Sequence, residues 1–346
     1  MPITKPNYAL WEIEPNQFPQ NNEHDQLKFI CAYGLLAPSS HNTQPWKFII
    51  KHNSIEIHAD LNRRLKAADP TNKELYISVG CTIPNIEMAA GQFGMHRSTT
   101  LLPDPQNSNH IATVNVNPPK SANITPHPLF PYISKRLTNR SLYKKDRPLP
   151  TAYTSELQQF LSDSDIRLAL YSDKEILNKL AVITKDGMYS ALSKPAFRQE
   201  LSHWVRHSWT DKGDGLPANT LGIPDAFSLA IATMVRSPLM PKTSSDLEYK
   251  MINSSSAVGV LYSPKNDLIH WIKSGIAYSY IALTTCKHKL AIEPLSASIE
   301  MPQQRHQLLQ LVKEKAEPMM FFRIGFAKKR YPHAPRRQID DVVSIS

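Results

Sequence analysis

Residues 37–48 read APSSHNTQPWKF. The small hydroxyl and amide side chains of Ser39, Ser40, Asn42 and Gln44 stand between an apolar stretch and Pro45-Trp46. The apolar stretch, residues 27–36, keeps a helical period. On the other side, residues 46–50 and 55–58, split by the polar turn 51–54, carry the pattern of a β-hairpin. A helix–loop–strand passage of this composition has two uses. It can hydrogen-bond the polar edge of a heteroaromatic ring, or satisfy the orphan carbonyls of the helix before it. Turn chemistry selects the same residue types for both. Further on, Asp69-Pro70 predicts a helix start, with Asp as N-cap and Pro in the first turn. Leu75, Val79, Ile86 and Ala90 then share a helical face, and Pro84 is expected to kink that helix. Residues 111–116 alternate as a half-buried strand does.

Five prolines in residues 117–131, NPPKSANITPHPLFP, cannot lie inside a helix and predict a linker. It divides the chain into residues 1–116 and 132–346. The second unit reads helix at 154–162, strand at 166–171, helix at 176–192, strand at 257–262, helix at 267–287 and strand at 319–326. Strands separated by long helices, together with a hairpin, predict an α+β fold rather than a clean βαβ alternation. Neither GxGxxG nor GxxxxGK[ST] occurs, so a Rossmann or P-loop site has no support.

At 346 residues with 41% hydrophobic and 20% charged content, the chain can bury a sizeable core. No apolar run approaches the roughly 20 residues of a membrane span. The N-terminus lacks a basic start followed by an apolar stretch, so no secretory signal is expected. Cys31, Cys81 and Cys286 are few and far apart, which excludes CxxC chemistry and points to a reducing, cytoplasmic setting. A net charge of +10 admits nucleic acid, an anionic membrane or a phosphorylated small molecule as partner. The charge gathers in two blocks. One holds Lys135, Arg136, Arg140, Lys144, Lys145 and Arg147; the other holds Arg323, Lys328, Lys329, Arg330, Arg336 and Arg337. In KRLTNRSLY, residues 135–143, Arg136, Thr138 and Arg140 alternate, so an extended backbone points them to one side. Two guanidinium groups and a hydroxyl suit a phosphate or an anionic ring carbonyl; a solvated basic segment has the same composition. His203 and His207 have i,i+4 spacing, but Trp204 stands where a zincin carries Glu, so no metal site is expected.

APSSHNTQPW resembles the signature loop of the FMN-dependent nitroreductase superfamily. KRLTNRSLY is similar to that family's N-terminal basic segment, and PLSASIE at residues 294–300 to the loop passing the flavin N5 edge. APRRQIDDVV at residues 334–343 resembles its closing tail. LNRRLKAADPTNKELYISVG, GLPANTLGIP and PRRQIDDVV narrow the likeness to the internally duplicated Acg-like branch. The resemblance implies a nitroreductase-like mixed sheet flanked by helices, with two fused halves forming a pseudo-dimer. The first half has the PSSHNTQPW loop; the second has KRLTNR and the APRR tail, with DGMYSALSKPAF where a second loop would stand. One FMN per chain is therefore implied. By the same resemblance, Arg136, Thr138 and Arg140 meet its phosphate and pyrimidine side, and Arg336 and Arg337 complete the phosphate site. Ser39, Ser40, Asn42 and Gln44 reach the ring or ribityl chain, and Pro294, Leu295, Ser296 and Ala297 line the N5 edge. Residues 194–242 resemble a lid insertion. The implied activity is NAD(P)H-dependent reduction of a small-molecule electron acceptor such as a nitroaromatic or quinone; an FMN-sequestering protein with a closed lid is the alternative. Neither nucleic acid nor membrane is an implied partner, and the assembly is a monomeric pseudo-dimer or a homodimer of pseudo-dimers.

Overall fold

The computed structural model describes residues 5–118 and 126–346, so residues 119–125 of the Pro-rich segment lie outside the described part. Helix α1 (Glu23–Gly34) leads into the hairpin β1 (Trp46–Lys51) and β2 (Ser54–Ala59). Helices α2 (Lys73–Gly80) and α3 (Thr82–Gln92) follow, then strands β3 (His96–Leu101) and β4 (His110–Val116). The second half begins with α4 (Thr151–Leu161), β5 (Arg167–Tyr171), α5 (Lys174–Ser193) and α6 (Pro195–Trp204). A short ribbon, β6 (Val205–Arg206) and β7 (Leu216–Pro217), precedes α7 (Ile231–Arg236), α8 (Met240–Ile252) and β8 (Ala257–Ser263). The chain closes with α9 (Leu268–Lys287), β9 (Ala291–Pro294), α10 (Ala297–Glu300), α11 (Pro302–Val312), β10 (Glu317–Gly325) and β11 (Val343–Ile345).

The fold is α+β, with a sheet and flanking helices in each half. The first sheet runs β11-β1-β2-β4-β3, and the second β5-β8-β10-β9. The first sheet is mixed, because β11 crosses from the C-terminus to lie parallel to β1 while its other pairs are antiparallel. In β1 the apolar side chains Trp46, Phe48 and Ile50 alternate inward, as a strand covered on one face requires. Every residue of β8 is buried, because β5 and β10 flank it and helices cover its faces. The halves meet where α2 crosses α9. A Cβ on Gly275 would stand 2.0 Å from the Ile77 carbonyl oxygen, and one on Gly80 would stand 2.4 Å from that of Ile272. Only glycine allows backbones to approach so closely. One core then runs through both halves, from Trp46, Phe48 and Ile86 to Ile272, Tyr278 and Phe322.

Two local expectations shift. The helix expected at Asp69-Pro70 begins at Lys73, after Asn72 in the left-handed region (φ 62°). Asp69 still caps it from a distance, accepting from the Leu75 amide at 2.9 Å. The single helix with a kink at Pro84 is two helices broken at Cys81. Proline cannot donate to the carbonyl of residue 80, and in a continuous helix its ring would collide with it, so the break falls one turn earlier. Among the described residues, no helix is long and apolar enough to cross a membrane. Cys31 and Cys81 are buried thiols, and burial pushes Cys81 up to about 12, so it is core rather than nucleophile.

Glu300 gives a stability test. Burial, then Glu74 and Asp69, push its carboxyl up to about 8, and Oε1 has no hydrogen-bond partner. A carboxyl whose folded pKa exceeds its unfolded value stabilises at acid pH, and that contribution is lost as pH rises from about 4.5 through about 8. Glu300→Gln should therefore leave Tm near the parent's at acid pH and raise it at pH values above 8. Equal Tm differences across the range would remove the titration from Glu300.

Candidate functional site

The 37–45 loop is held in an uncommon backbone. His41, Asn42 and Gln44 have φ of 49°, 53° and 51°, the left-handed region that non-glycine residues avoid. Side-chain bonds hold it there. Ser39 Oγ accepts from the Gln44 amide at 2.9 Å. Asn42 Nδ2 donates to the carbonyls of Gly215 and Pro335, both at 3.0 Å. Gln44 Nε2 donates to Gly213 O at 2.7 Å, and its Oε1 accepts from the Arg337 amide at 3.0 Å. Ser40 gives its backbone N–H to Ser78 Oγ at 3.2 Å. Asn42 and Gln44 thus spend their amides on protein partners, latching the loop to the C-terminal tail and to the stretch around β7. Strain kept in place by neighbours in this way concentrates at functional sites.

Below the loop lie two buried arginines. Arg136 Nη2 donates to the Leu36 carbonyl at 2.8 Å, and Arg336 Nη2 to the same carbonyl at 3.2 Å. Arg336 Nη1 also donates to Asn42 Oδ1 at 3.0 Å. Both guanidinium groups face Trp11, 5.9 and 4.5 Å from its ring centroid, and His333 stacks on that ring at 4.0 Å. Arg136 is 4% exposed and Arg336 3%. Among the described residues neither forms an ion pair with a carboxylate, and each has a buried Nε without a hydrogen-bond partner. Burial first, then Arg136, holds Arg336 well below the usual arginine range. Burial, then Arg136 and Arg336, lowers His333 to about 3, so it stays uncharged at neutral pH. Two desolvated cations without a counter-charge are costly unless an anion offsets them, and the fork of a guanidinium matches phosphate.

A second set lies beside it on β9. Thr138 bridges to Ile292, and the Asn139 amide donates to the Ile292 carbonyl at 3.0 Å. Arg140 reaches within 3.7 Å of Glu293, whose other oxygen accepts from Arg323 Nε at 2.6 Å. Arg323 is completely buried, so one member of the second basic block is structural rather than part of a charged surface. Burial, then Arg140, lowers His41 to about 4. Tyr278 lies within electrostatic reach of both Arg136 and Arg140. Pro294 ends β9; the Leu295 amide donates to Phe321 O at 2.8 Å, Ser296 is exposed, and buried Ala297 opens α10 against Gly187. Arg337 turns away from the arginine pair. Its guanidinium donates to the carbonyls of Gln44, Trp46 and Asp341.

Residues 205–217 rest on the loop and tail. Asn7 Nδ2 donates to the carbonyls of Thr210 and Lys212, Asp214 pairs with Arg63, and a Cβ on Gly213 would come within 2.6 Å of Arg336 O. A small core of Val205, Ala218, Ile231 and Val235 gives this region packing of its own. His203 lies in the last turn of α6 and His207 lies beyond it, so the two do not share a helix face. Glu56, His58 and His110 bring potential ligand atoms within 4.8 Å of one another. Lys51 and His58 already bind Glu56, and the two imidazoles stack at 4.4 Å, so the group is a hydrogen-bonded cluster. Trp11, His333, Glu293 and Tyr278 were missed by sequence reasoning. Trp11 and His333 are 322 positions apart with no shared motif; Glu293 and His333 each adjoin a stretch singled out in advance, and Tyr278 lies within the helix expected at 267–287.

No family model matches the chain. Among curated proteins it is 23% identical over 325 residues to a Mycobacterium tuberculosis H37Rv protein provisionally named NAD(P)H nitroreductase Rv3131, covering 92% of this chain and 91% of that one. It is 24% identical to the likewise provisionally named NAD(P)H nitroreductase acg of the same strain, over 93% of this chain and 96% of that one. The uncharacterized protein Rv3127 matches at 23% over 92% of this chain and 93% of its own. Among solved structures, the FMN-dependent nitroreductase NfnB of Mycobacterium smegmatis in complex with NADPH aligns at TM-score 0.41 and 13% identity, over 62% of this chain and 96% of that one. Alignment that loose decides neither fold nor ligand.

Proposed function

We propose that this relative of the Acg-type nitroreductases binds one FMN per chain and, with NAD(P)H as donor, reduces small-molecule acceptors of the nitroaromatic or quinone type. The observation that carries the proposal is the buried Arg136–Arg336 pair, without a carboxylate and with both Nε donors unused, which fits the FMN phosphate. The pair lies against the Leu36 carbonyl of the first half, while Arg136 and Arg336 come from the second, which supports one composite site. FMN, when bound, would supply the ring that takes reducing equivalents from the nicotinamide and passes them to the acceptor. Ser39, Ser40, Thr138 and Arg140 are assigned to its ring and ribityl chain, and Pro294, Leu295, Ser296 and Ala297 to its N5 edge. Asn42, Gln44 and Arg337 are assigned to positioning, since they hold the loop rather than face the arginine pair. Neutral His333 leaves the anion's charge to the two guanidinium groups. A division at the Pro-rich segment, a lid over residues 194–242, a cytoplasmic location and a monomeric or homodimeric pseudo-dimer belong to the same reading.

One observation favours FMN storage instead: the stretch around β7 is bonded directly to the loop and tail, as a closed cover would be. A lid that excludes water also excludes acceptors. Flavin released by denaturing protein saturated with FMN should equal the protein in moles; a ratio near two would contradict the single composite site, and none would contradict FMN binding. Anaerobic NADPH should bleach the flavin of an enzyme, whereas flavin that stays oxidised would select storage.

A further inference from the structure

We propose a second anion site in the second half, built for a small molecule carrying a di- or triphosphate, such as a nucleoside diphosphate. A cleft of about 910 Å³ opens between residues 142–148, the start of α5, the end of α8 and residues 253–256. Its lining includes neither arginine of the buried pair nor Leu36, Asn42, Trp11 or His333 around them. Lys145, Arg147, Lys174, Lys250 and Lys328 surround it, against a single acid, Asp146. Asp146 is spent on Lys174 at 2.7 Å; among the described residues the other four cations form no ion pair. Arg147 is seated on the Phe326 ring, 3.7 Å from its centroid.

The floor is polar and partly unsatisfied. Ser254 and Ser255 donate to the Met251 carbonyl at 2.7 and 2.9 Å. Ser256, 8% exposed, has a buried hydroxyl with no partner. The N-terminus of the 20-residue helix α5 reaches the rim already capped, with Asp173 accepting from the Glu175 and Ile176 amides at 3.0 Å, so the positive character of the cleft comes from its side chains. Tyr249, fixed by its hydroxyl to Asn178 at 2.8 Å, offers a ring beside the cations. A cleft of this size suits a small molecule. Its concavity and single aromatic favour that over a duplex or a membrane surface, which need a broad charged face. The basic charge left over from the arginine pair thus has a place and a chemistry.

The test titrates FMN-saturated protein with ADP and with sodium pyrophosphate, by calorimetry at low salt. Saturable binding at one site is expected, and Lys145→Glu and Lys328→Glu should each weaken it about tenfold or more. Both lysines are exposed, so the variants should melt with the parent. Arg336→Ala should leave ADP affinity unchanged, which keeps this result separate from the fate of the FMN reading. Unaltered affinity in both lysine variants would overturn the proposal, as would loss of binding in Arg336→Ala. Binding of duplex DNA or anionic phospholipid vesicles, with none of ADP or pyrophosphate, would overturn it too.

Discussion

Arg323→Ala should cost the fold about 3–5 kcal/mol, the penalty typical of breaking a buried ion pair from one side. Arg323 stands on β10 with no exposure at all. Its Nε donates to Glu293 Oε2 at 2.6 Å and its Nη2 to Ser141 O at 2.7 Å, and the Tyr143 ring lies 3.8 Å from its guanidinium carbon. One side chain therefore ties β9 to β10 and clamps the segment that carries Arg136 and Arg140. Without it, Glu293 keeps only the longer contact with Arg140 at 3.7 Å. Glu248 offers no relief, because burial and Glu293 already raise its carboxyl well above the usual range. The loss should appear as a lower urea midpoint at unchanged slope. Arg323→Met combined with Glu293→Leu should recover most of it, since both desolvation costs are then removed together. A loss under about 1 kcal/mol in the single variant would show that Arg140 and water compensate for Glu293.

Arg336→Ala should weaken FMN binding by about 1.5–3 kcal/mol, or roughly 10–150-fold, as loss of a charge-assisted contact to a buried anion does. The proposal assigns its unused Nε to the phosphate, and its Nη groups are committed to Asn42 Oδ1 and the Leu36 and Ala37 carbonyls. Arg136→Ala should match it. Arg140→Ala should cost less, because Glu293 lies within 3.7 Å of its Nε. Lys144→Ala, at an exposed position, should change FMN affinity by well under 1 kcal/mol. Quenching of flavin fluorescence on titration into the apoprotein gives all four constants. Equal affinity of Arg336→Ala and the parent would remove the arginine pair from the flavin site.

Sequence patterning by itself determined the framework. The helix over residues 27–36, the hairpin, β8, α9 and β10 are legible because each must bury one face or both, and burial writes a period into the residues. Strand β3, HRSTTL, escaped because it is an edge strand with little of its surface covered. The C-terminal strand escaped because its partner, β1, stands nearly 300 positions earlier, and no local pattern carries that pairing. The same divide holds at the candidate site. The order of the PSSHNTQPW, KRLTNR and APRR motifs marked the residues that converge. Which basic residues are buried was decided only by the tertiary structure. Arg136 shares its basic block with Lys144, and Arg323 and Arg336 share theirs with Lys329, yet the three arginines end buried and the two lysines exposed. A charge's cost and use depend on what surrounds it in space. Trp11 becomes a neighbour of Arg336 only when opposite ends of the chain pack together, and Glu293 meets Arg323 only through the pairing of β9 with β10.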